Sequence, residues 1–168
     1  MADEQETTPN SPAVVREATA EDARALHVLA QELADALGDR SPRPEAVRAR
    51  LSELLEEPRV RVLVAEEEGD IVGAASLWIK PDLAHGDTVI EVPMLVVTSN
   101  ARRRGIGKLL VEEIQSIAAA ENAALIELVA TRDNDVARAF YRTLGFIETK
   151  HVTLEFVGHA HDPPDPEE

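Results

Sequence analysis

The chain has no cysteine in its 168 residues, which excludes disulfides, thiolate metal sites and a cysteine nucleophile. That absence suits a reducing compartment, and the expected location is the cytoplasm. Aromatic residues are scarce as well: one Trp, one Tyr and three Phe. Long apolar runs are missing. The longest, Val92 to Val97, covers about six residues, against the roughly 20 that a membrane-spanning helix needs. Met1 to Asn10 is polar and acidic, unlike the basic and then apolar pattern of a secretory signal. Positive charge is short too: 17 Lys and Arg stand against 32 Asp and Glu, a formal net charge of −15. Surfaces for nucleic acid or anionic lipid need clustered Lys and Arg, so neither a nucleic-acid nor a membrane partner is expected.

What is present is ordinary globular material, 44% hydrophobic and 29% charged. The length suits one domain, which can bury a core without staples. Residues 1–12 and 158–168 are acidic, proline-bearing and nearly free of apolar side chains, so both are expected to be disordered tails flanking one domain over 13–157. Within it, Ala13 to Ala18 reads as a short strand. Thr19 and Asp22 form a weak capping box before a helix carrying Leu26, Leu29, Leu33 and Leu37, with Gly38 at its end. Pro44 opens a second helix with Val47, Leu51, Leu54 and Leu55 on one face. Val60 to Ala65 and Ile71 to Ile79 read as a hairpin about Glu68-Gly69-Asp70, followed by a loop over Pro81 to Asp87. Thr88 to Val97 is a strand containing Pro93, which calls for an edge or a bulge. A helix through Leu110, Ile114 and Ile117, a strand over Ala124 to Ala130, a helix capped by Asn134 and stopped by Gly145, and a strand over Val152 to Phe156 complete the order. This predicts an α/β fold, a mixed central sheet flanked by helices with a β-α-β crossover.

The informative stretch is Leu95-Val96-Val97-Thr98-Ser99-Asn100-Ala101-Arg102-Arg103-Arg104-Gly105-Ile106-Gly107-Lys108. A strand ends, a glycine turn follows and a helix begins. Glycines admit close approach of a ligand, the first helical turn offers free N–H groups and the positive end of the dipole, and four cations fall within 102–108. A pyrophosphate needs this combination. A tight strand-to-helix turn with a solvated arginine run gives the same string. The segment is neither a dinucleotide fingerprint, since position 110 is Leu, nor a phosphate-binding Gly-Lys-Ser/Thr loop, since Leu109 follows Lys108.

Arg102-x-x-Gly105-x-Gly107 after Leu95-Val96-Val97 resembles the acetyl-CoA motif of the GCN5-related N-acetyltransferases. About 30 residues on, Asn134-x-x-Ala137-x-x-Phe140-Tyr141-x-x-Leu144-Gly145-Phe146 resembles that family's closing helix. Ser99 replaces a frequent proline and Arg103 a frequent glycine. The resemblance implies the family's acyl-CoA N-acyltransferase fold and direct transfer of acetyl from acetyl-CoA to a primary amine, without an acyl-enzyme or a metal. It implies that Leu95, Val96 and Val97 lie along the pantetheine arm and that Met94 or Leu95 supplies a backbone N–H to the thioester oxygen. Arg102, Arg103, Arg104, Gly105, Ile106, Gly107 and Lys108 would surround the pyrophosphate. Asn134, Ala137 and Phe140 would meet the cofactor, with Asn134 on the pantetheine arm.

Tyr141, the lone tyrosine, is then the candidate acid for the departing thiolate; otherwise it is one more aromatic on an amphipathic helix. A phenol of pKa near 10 holds its proton at pH 7. Glu91 is the candidate base, since an amine of pKa near 10.4 must lose a proton before it attacks; its alternative is the solvent face of a strand. His85 is the second choice. His27, and the sparse His159 and His161, carry no metal pattern. Trp78 reads as core or as a pocket wall. The acceptor is expected to be a small-molecule or peptide amine, and a homodimer is compatible with the family. The competing reading is a non-catalytic acetyl-CoA sensor. A toxin acting on aminoacyl-tRNA is disfavoured by the acidic domain.

Overall fold

The computed structural model describes residues 12–155, so the expected tails lie outside the described residues apart from Pro12. Packing divides the chain into two units that meet in sequence at Asp133 and Asn134. The first unit is a five-stranded sheet in the order β1-β2-β3-β4-β5. The strands are β1 Val14–Glu17, β2 Val60–Glu67, β3 Asp70–Asp82, β4 Asp87–Val97 and β5 Leu125–Leu128. The first four pair antiparallel, and β5 joins β4 parallel. Helices α1 Ala23–Leu37 and α2 Pro44–Glu56 follow β1, and α3 Ile106–Ala120 makes the crossover from β4 to β5.

Local chemistry sets the boundaries. Glu68 (φ 52°) and Gly69 (φ 86°) are both left-handed, which makes the two-residue turn whose twist suits a β2–β3 hairpin. The β3 strand runs further than its apolar pattern predicts. Pairing with β4 continues to Asp82↔Asp87, which shrinks the expected loop over Pro81 to Asp87 to 83–86. Pairing of β2 with β3 ends at Trp78, so Pro81 stands where one side of the strand has no ladder to spoil. α1 is preceded by a single 3-10 turn, Ala20–Asp22, and stops at Gly38 (φ 74°), whose N–H donates to the Ala34 and Asp35 carbonyls. Strand alternation then divides the core. Leu63, Ala65, Ala75, Leu77, Ile90 and Val92 face Ile106, Leu110 and Ile114 of α3. Val62, Val64, Ala74 and Val96 face Leu26 and Leu29 of α1 and Leu51 of α2. Gly73 lets α3 approach, because a Cβ there would lie 3.0 Å from Ile106 Cγ2.

The second unit, described by itself, holds α4 Asp135–Thr143. No strand forms over Val152 to Glu155, which corrects the sequence expectation; Phe156 lies outside the described residues. Val152 and Leu154 are exposed. β-branched composition favours a strand only where a neighbour completes the ladder, and none does so here among the described residues.

One ion network ties the start of the chain to the sheet. The Arg16 guanidinium donates to both oxygens of the buried Asp22, at 2.8 and 3.0 Å, and to Glu66 at 2.9 Å. Asp22 also accepts the Thr19 N–H at 2.8 Å. The Arg16 bonds hold the Asp22 carboxyl below its ordinary value, against the opposing pull of burial. A depressed carboxylate contributes stability above its unfolded pKa, near 4, and loses it as pH falls through the folded value. Asp22→Asn is therefore expected to cost about 1–3 kcal/mol at pH 7, with a smaller penalty below about pH 4. Urea unfolding at the two pH values checks this, and an equal penalty at both would contradict it.

Candidate active site

The site begins at a defect in the sheet. Ser76 pairs with Met94 and Trp78 with Glu91, so Val92 and Pro93 together stand opposite Leu77. The proline expectation is met by a bulge against β3, at the point where the other side of β4 becomes an edge. β5 pairs with β4 only as far as Val92. From Pro93 to Val97 the far side of β4 has no strand beside it among the described residues. The Thr98 N–H donates to the Val72 carbonyl at 2.9 Å, so alternation turns the Val96 and Met94 backbone toward β3 and that of Leu95 and Val97 toward the open side. Of the two backbone donors considered from sequence, the Leu95 N–H faces outward. Val96 instead buries its side chain against α1 and α2.

Glu91 lies between the inward-facing Ile90 and Val92, hence on the α1–α2 side of the sheet, level with Trp78 of β3 and Glu127 of β5. It is half-exposed and forms an ion pair with Lys80 of β3. Sequence reading finds neither Lys80 nor Glu127, because both meet Glu91 through strand register. Trp78 is partly buried against the α1–α2 cluster, as a core or wall residue.

After β4 the chain makes a 3-10 turn, Ser99–Ala101, and then the glycine turn. Ala101 and Ile106 are buried and anchor it. Gly105 is left-handed (φ 82°), and a Cβ there would meet nothing within 4 Å. The first helical bond runs from the Leu109 N–H to the Gly105 carbonyl at 3.0 Å. The N–H groups of Ile106, Gly107 and Lys108 therefore have no acceptor within the helix and carry the positive end of its dipole. The cationic side chains divide. Arg102 Nε donates to the outward Val97 carbonyl at 3.2 Å, and Arg104 is held by Glu67 at 2.8 Å. Lys108 has only a loose contact with Glu112, at 3.7 Å, and Arg103 pairs with no carboxylate among the described residues.

Arg103 is itself left-handed (φ 63°), where a side chain is strained. A β-branched residue suffers most there, so Arg103→Val is expected to cost about 1–2 kcal/mol. Arg103→Gly should leave stability nearly unchanged. Chemical denaturation of the two variants decides it, and equal stabilities would show that the turn does not need this conformation.

In the second unit the Asn134 Oδ1 accepts the Ala137 N–H at 3.0 Å, so Asn134 caps α4 and Ala137 lies in its first turn. The Tyr141 ring lies 5.2 Å from that of Phe140 and 5.7 Å, edge-on, from that of Phe146. Burial pushes the Tyr141 phenol above its ordinary value, which keeps it protonated. Arg138 bridges Asp135 and Glu148 and braces the same helix.

The histidines fall elsewhere. His85 sits exposed in the β3–β4 hairpin, bonded to Asp82, which raises the His85 pKa and lowers its own. His27 Nε2 donates to the Pro42 carbonyl at 3.0 Å and ties α1 to the α1–α2 connection. His159 and His161 lie outside the described residues. A hollow of about 240 Å³ between α2 and β2 is lined by Glu17, Glu56, Glu57 and Arg61, and Arg61 already pairs with Glu17, so it is a poor setting for a phosphate. No helix among the described residues is long and apolar enough to cross a membrane.

An antiparallel sheet extended by one parallel strand, with a bulged strand whose edge opens before a helix N-terminus, defines the acyl-CoA N-acyltransferase class of α/β fold. Residues 24–146 match the acetyltransferase (GNAT) family, and the chain belongs to that family. A mycothiol acetyltransferase of Beutenbergia cavernae is 34% identical over 103 residues, which is 61% of this chain and 33% of that protein. The chain thus spans about a third of that relative. Among solved structures, a transcriptional regulator from Bacillus halodurans superposes with a TM-score of 0.78 at 24% identity, over 88% of this chain and 100% of the other. An aminoglycoside acetyltransferase from an uncultured soil sample gives 0.68 at 25% identity, over 87% and 99%.

Proposed function

We propose that the protein is an N-acetyltransferase that uses acetyl-CoA to acetylate a primary amine on a small molecule or peptide. The observation that carries this reading is the conjunction at the end of β4. An outward-facing stretch of backbone at Leu95 and Val97 leads to the left-handed Gly105 and then to the three helix-terminal N–H groups of Ile106, Gly107 and Lys108. A pantetheine arm carries amides that match the open strand, and a pyrophosphate matches the donors after Gly105. The free space at the Gly105 Cβ position is room for that group. Acetyl-CoA supplies the activated acetyl thioester; the remaining chemistry belongs to the chain.

In this reading the Leu95 N–H donates to the thioester carbonyl oxygen as negative charge develops there, a role typically worth about 2.7–4 kcal/mol in the transition state. Ile106, Gly107 and Lys108 hold the pyrophosphate through main-chain N–H groups, with the side chains of Arg103 and Lys108 as counter-ions. Arg102 and Arg104 shape the turn, since their guanidinium groups are already engaged within the protein. Asn134 keeps its side-chain N–H₂ for the cofactor while its oxygen caps α4. Tyr141 gives its proton to the departing thiolate, and Glu91 takes the proton of the acceptor amine. Glu91 pairs with Lys80, and Glu127 stands level with it on β5, so two carboxylates against one ammonium leave this patch net negative. That net charge favours a cationic acceptor.

Calorimetric titration with acetyl-CoA tests the foundation. Binding is expected, together with a higher melting temperature in excess ligand. No binding and no shift would refute the reading.

A further inference from the structure

Glu32 has no part in the scheme above, yet it makes the most specific side-chain contact to the cofactor turn. It projects from α1, within the stripe that carries Leu29 and Leu33. Its carboxylate reaches a segment 66 residues away: Oε1 accepts the Thr98 hydroxyl at 2.6 Å, and Oε2 accepts the Ser99 N–H at 3.1 Å. The Thr98 N–H is meanwhile committed to Val72 of β3 at 2.9 Å. The residue that ends β4 is thus held from the sheet on one side and from α1 on the other.

We infer that Glu32 is a positioning residue for acetyl-CoA, fixing where the turn leaves the sheet and which of its N–H groups remain open to a phosphate. The inference rests on the acetyltransferase reading and adds a residue to it. Two physical points support it. Ser99 begins the 3-10 turn, where N–H groups lack internal acceptors and attract anions. The Glu32 carboxylate fills that place, which leaves the donors after Gly105 as the open set. A carboxylate bonded at both oxygens also fixes orientation better than a single contact would. Glu32 bridges the two layers of the fold as well, since α1 and α3 lie on opposite faces of the sheet and the turn passes between them.

The sign of the effect separates positioning from simple electrostatics. Removing a negative charge beside an anion site should tighten binding if charge alone mattered. Positioning predicts the reverse. Acetyl-CoA is titrated into wild type, Glu32→Ala, Glu32→Gln and Thr98→Val, each as the full chain, with apo melting temperatures and amide exchange over 98–108 recorded alongside. Glu32→Ala is expected to bind about tenfold more weakly. Glu32→Gln, which keeps one acceptor oxygen, should fall in between. Exchange over 98–108 should quicken in apo Glu32→Ala.

Glu53→Ala on α2 removes an exposed carboxylate paired with Arg50, and it should bind as wild type does. Equal or tighter binding by Glu32→Ala and Glu32→Gln would overturn the inference while the acetyltransferase reading stood. Failure of wild type to bind would overturn that reading instead. The exchange comparison would then still decide whether Glu32 orders the turn, and unchanged exchange would reject it. A variant that weakens binding only in proportion to its lowered melting temperature would show a general structural role, again against positioning.

Discussion

Gly105→Glu is expected to abolish acetyl-CoA binding. The position is left-handed, so any side chain adds backbone strain of about 1–2 kcal/mol, which a folded domain can bear. The space around the missing Cβ is empty, so a Cβ placed there meets no atom of the protein within 4 Å. It would instead occupy the ground proposed for the pyrophosphate, with a negative charge. Two like charges about 4 Å apart repel by about 4 kcal/mol at an effective dielectric near 20. Affinity should therefore fall by at least about a hundredfold. Gly105→Ala serves as the control, since it carries the same strain without the charge or the length, and it should lose far less. Calorimetry on folded protein reads both. Unchanged affinity in Gly105→Glu would remove the phosphate site from this turn.

Tyr141→Phe is expected to lower turnover by more than tenfold while acetyl-CoA affinity stays within a few-fold. General acids contribute about 10²–10⁴ in rate, and a thiolate whose conjugate acid has pKa near 8.5 leaves more easily when protonated. The substitution keeps the ring and with it the contacts to Phe140 and Phe146, so α4 should keep its packing. Burial raises the Tyr141 pKa above its ordinary value, so the phenol holds its proton at neutral pH. The wild-type rate should accordingly show no loss near neutral pH from this group. Equal loss of turnover and affinity would make Tyr141 a packing residue, and unchanged turnover would remove it from the chemistry.

Most of the fold is legible because its boundaries are set by short-range chemistry. Pro44 opens α2, Gly38 closes α1, and Glu68-Gly69 turns the hairpin; each acts through its own φ and its nearest neighbours. Pro93 announces a break in the ladder because proline has no N–H to donate, and the break falls where β4 bulges against β3 and where β5 has already ended. The failures share a cause. The extension of β3 to Asp82, the shorter β5 and the missing strand over Val152 to Glu155 all depend on what pairs alongside, which no local pattern encodes.

The same division holds for the site. The glycine turn and the asparagine cap of α4 are visible as strings. The pairs Lys80–Glu91, Arg104–Glu67 and Glu32 with Thr98 join residues 11, 37 and 66 positions apart, and they exist only through register and packing. All four cations in 102–108 read as pyrophosphate neighbours in the sequence; in the structure Arg102 bonds the Val97 carbonyl and Arg104 pairs with Glu67. A carboxylate that captures an arginine is invisible until the strands are aligned.

Acetyl transfer to an amine is read directly as thiol release from acetyl-CoA. Wild type and Tyr141→Phe are assayed side by side against polyamines, aminoglycosides, amino acids, arylamines and peptide N-termini. At least one cationic primary amine is expected to raise thiol release above background in wild type, and Tyr141→Phe is expected to lose most of that rate. Acetyl-CoA that binds and stabilises the protein, with no release above background for any amine, would contradict this expectation and leave an acetyl-CoA-binding module without turnover.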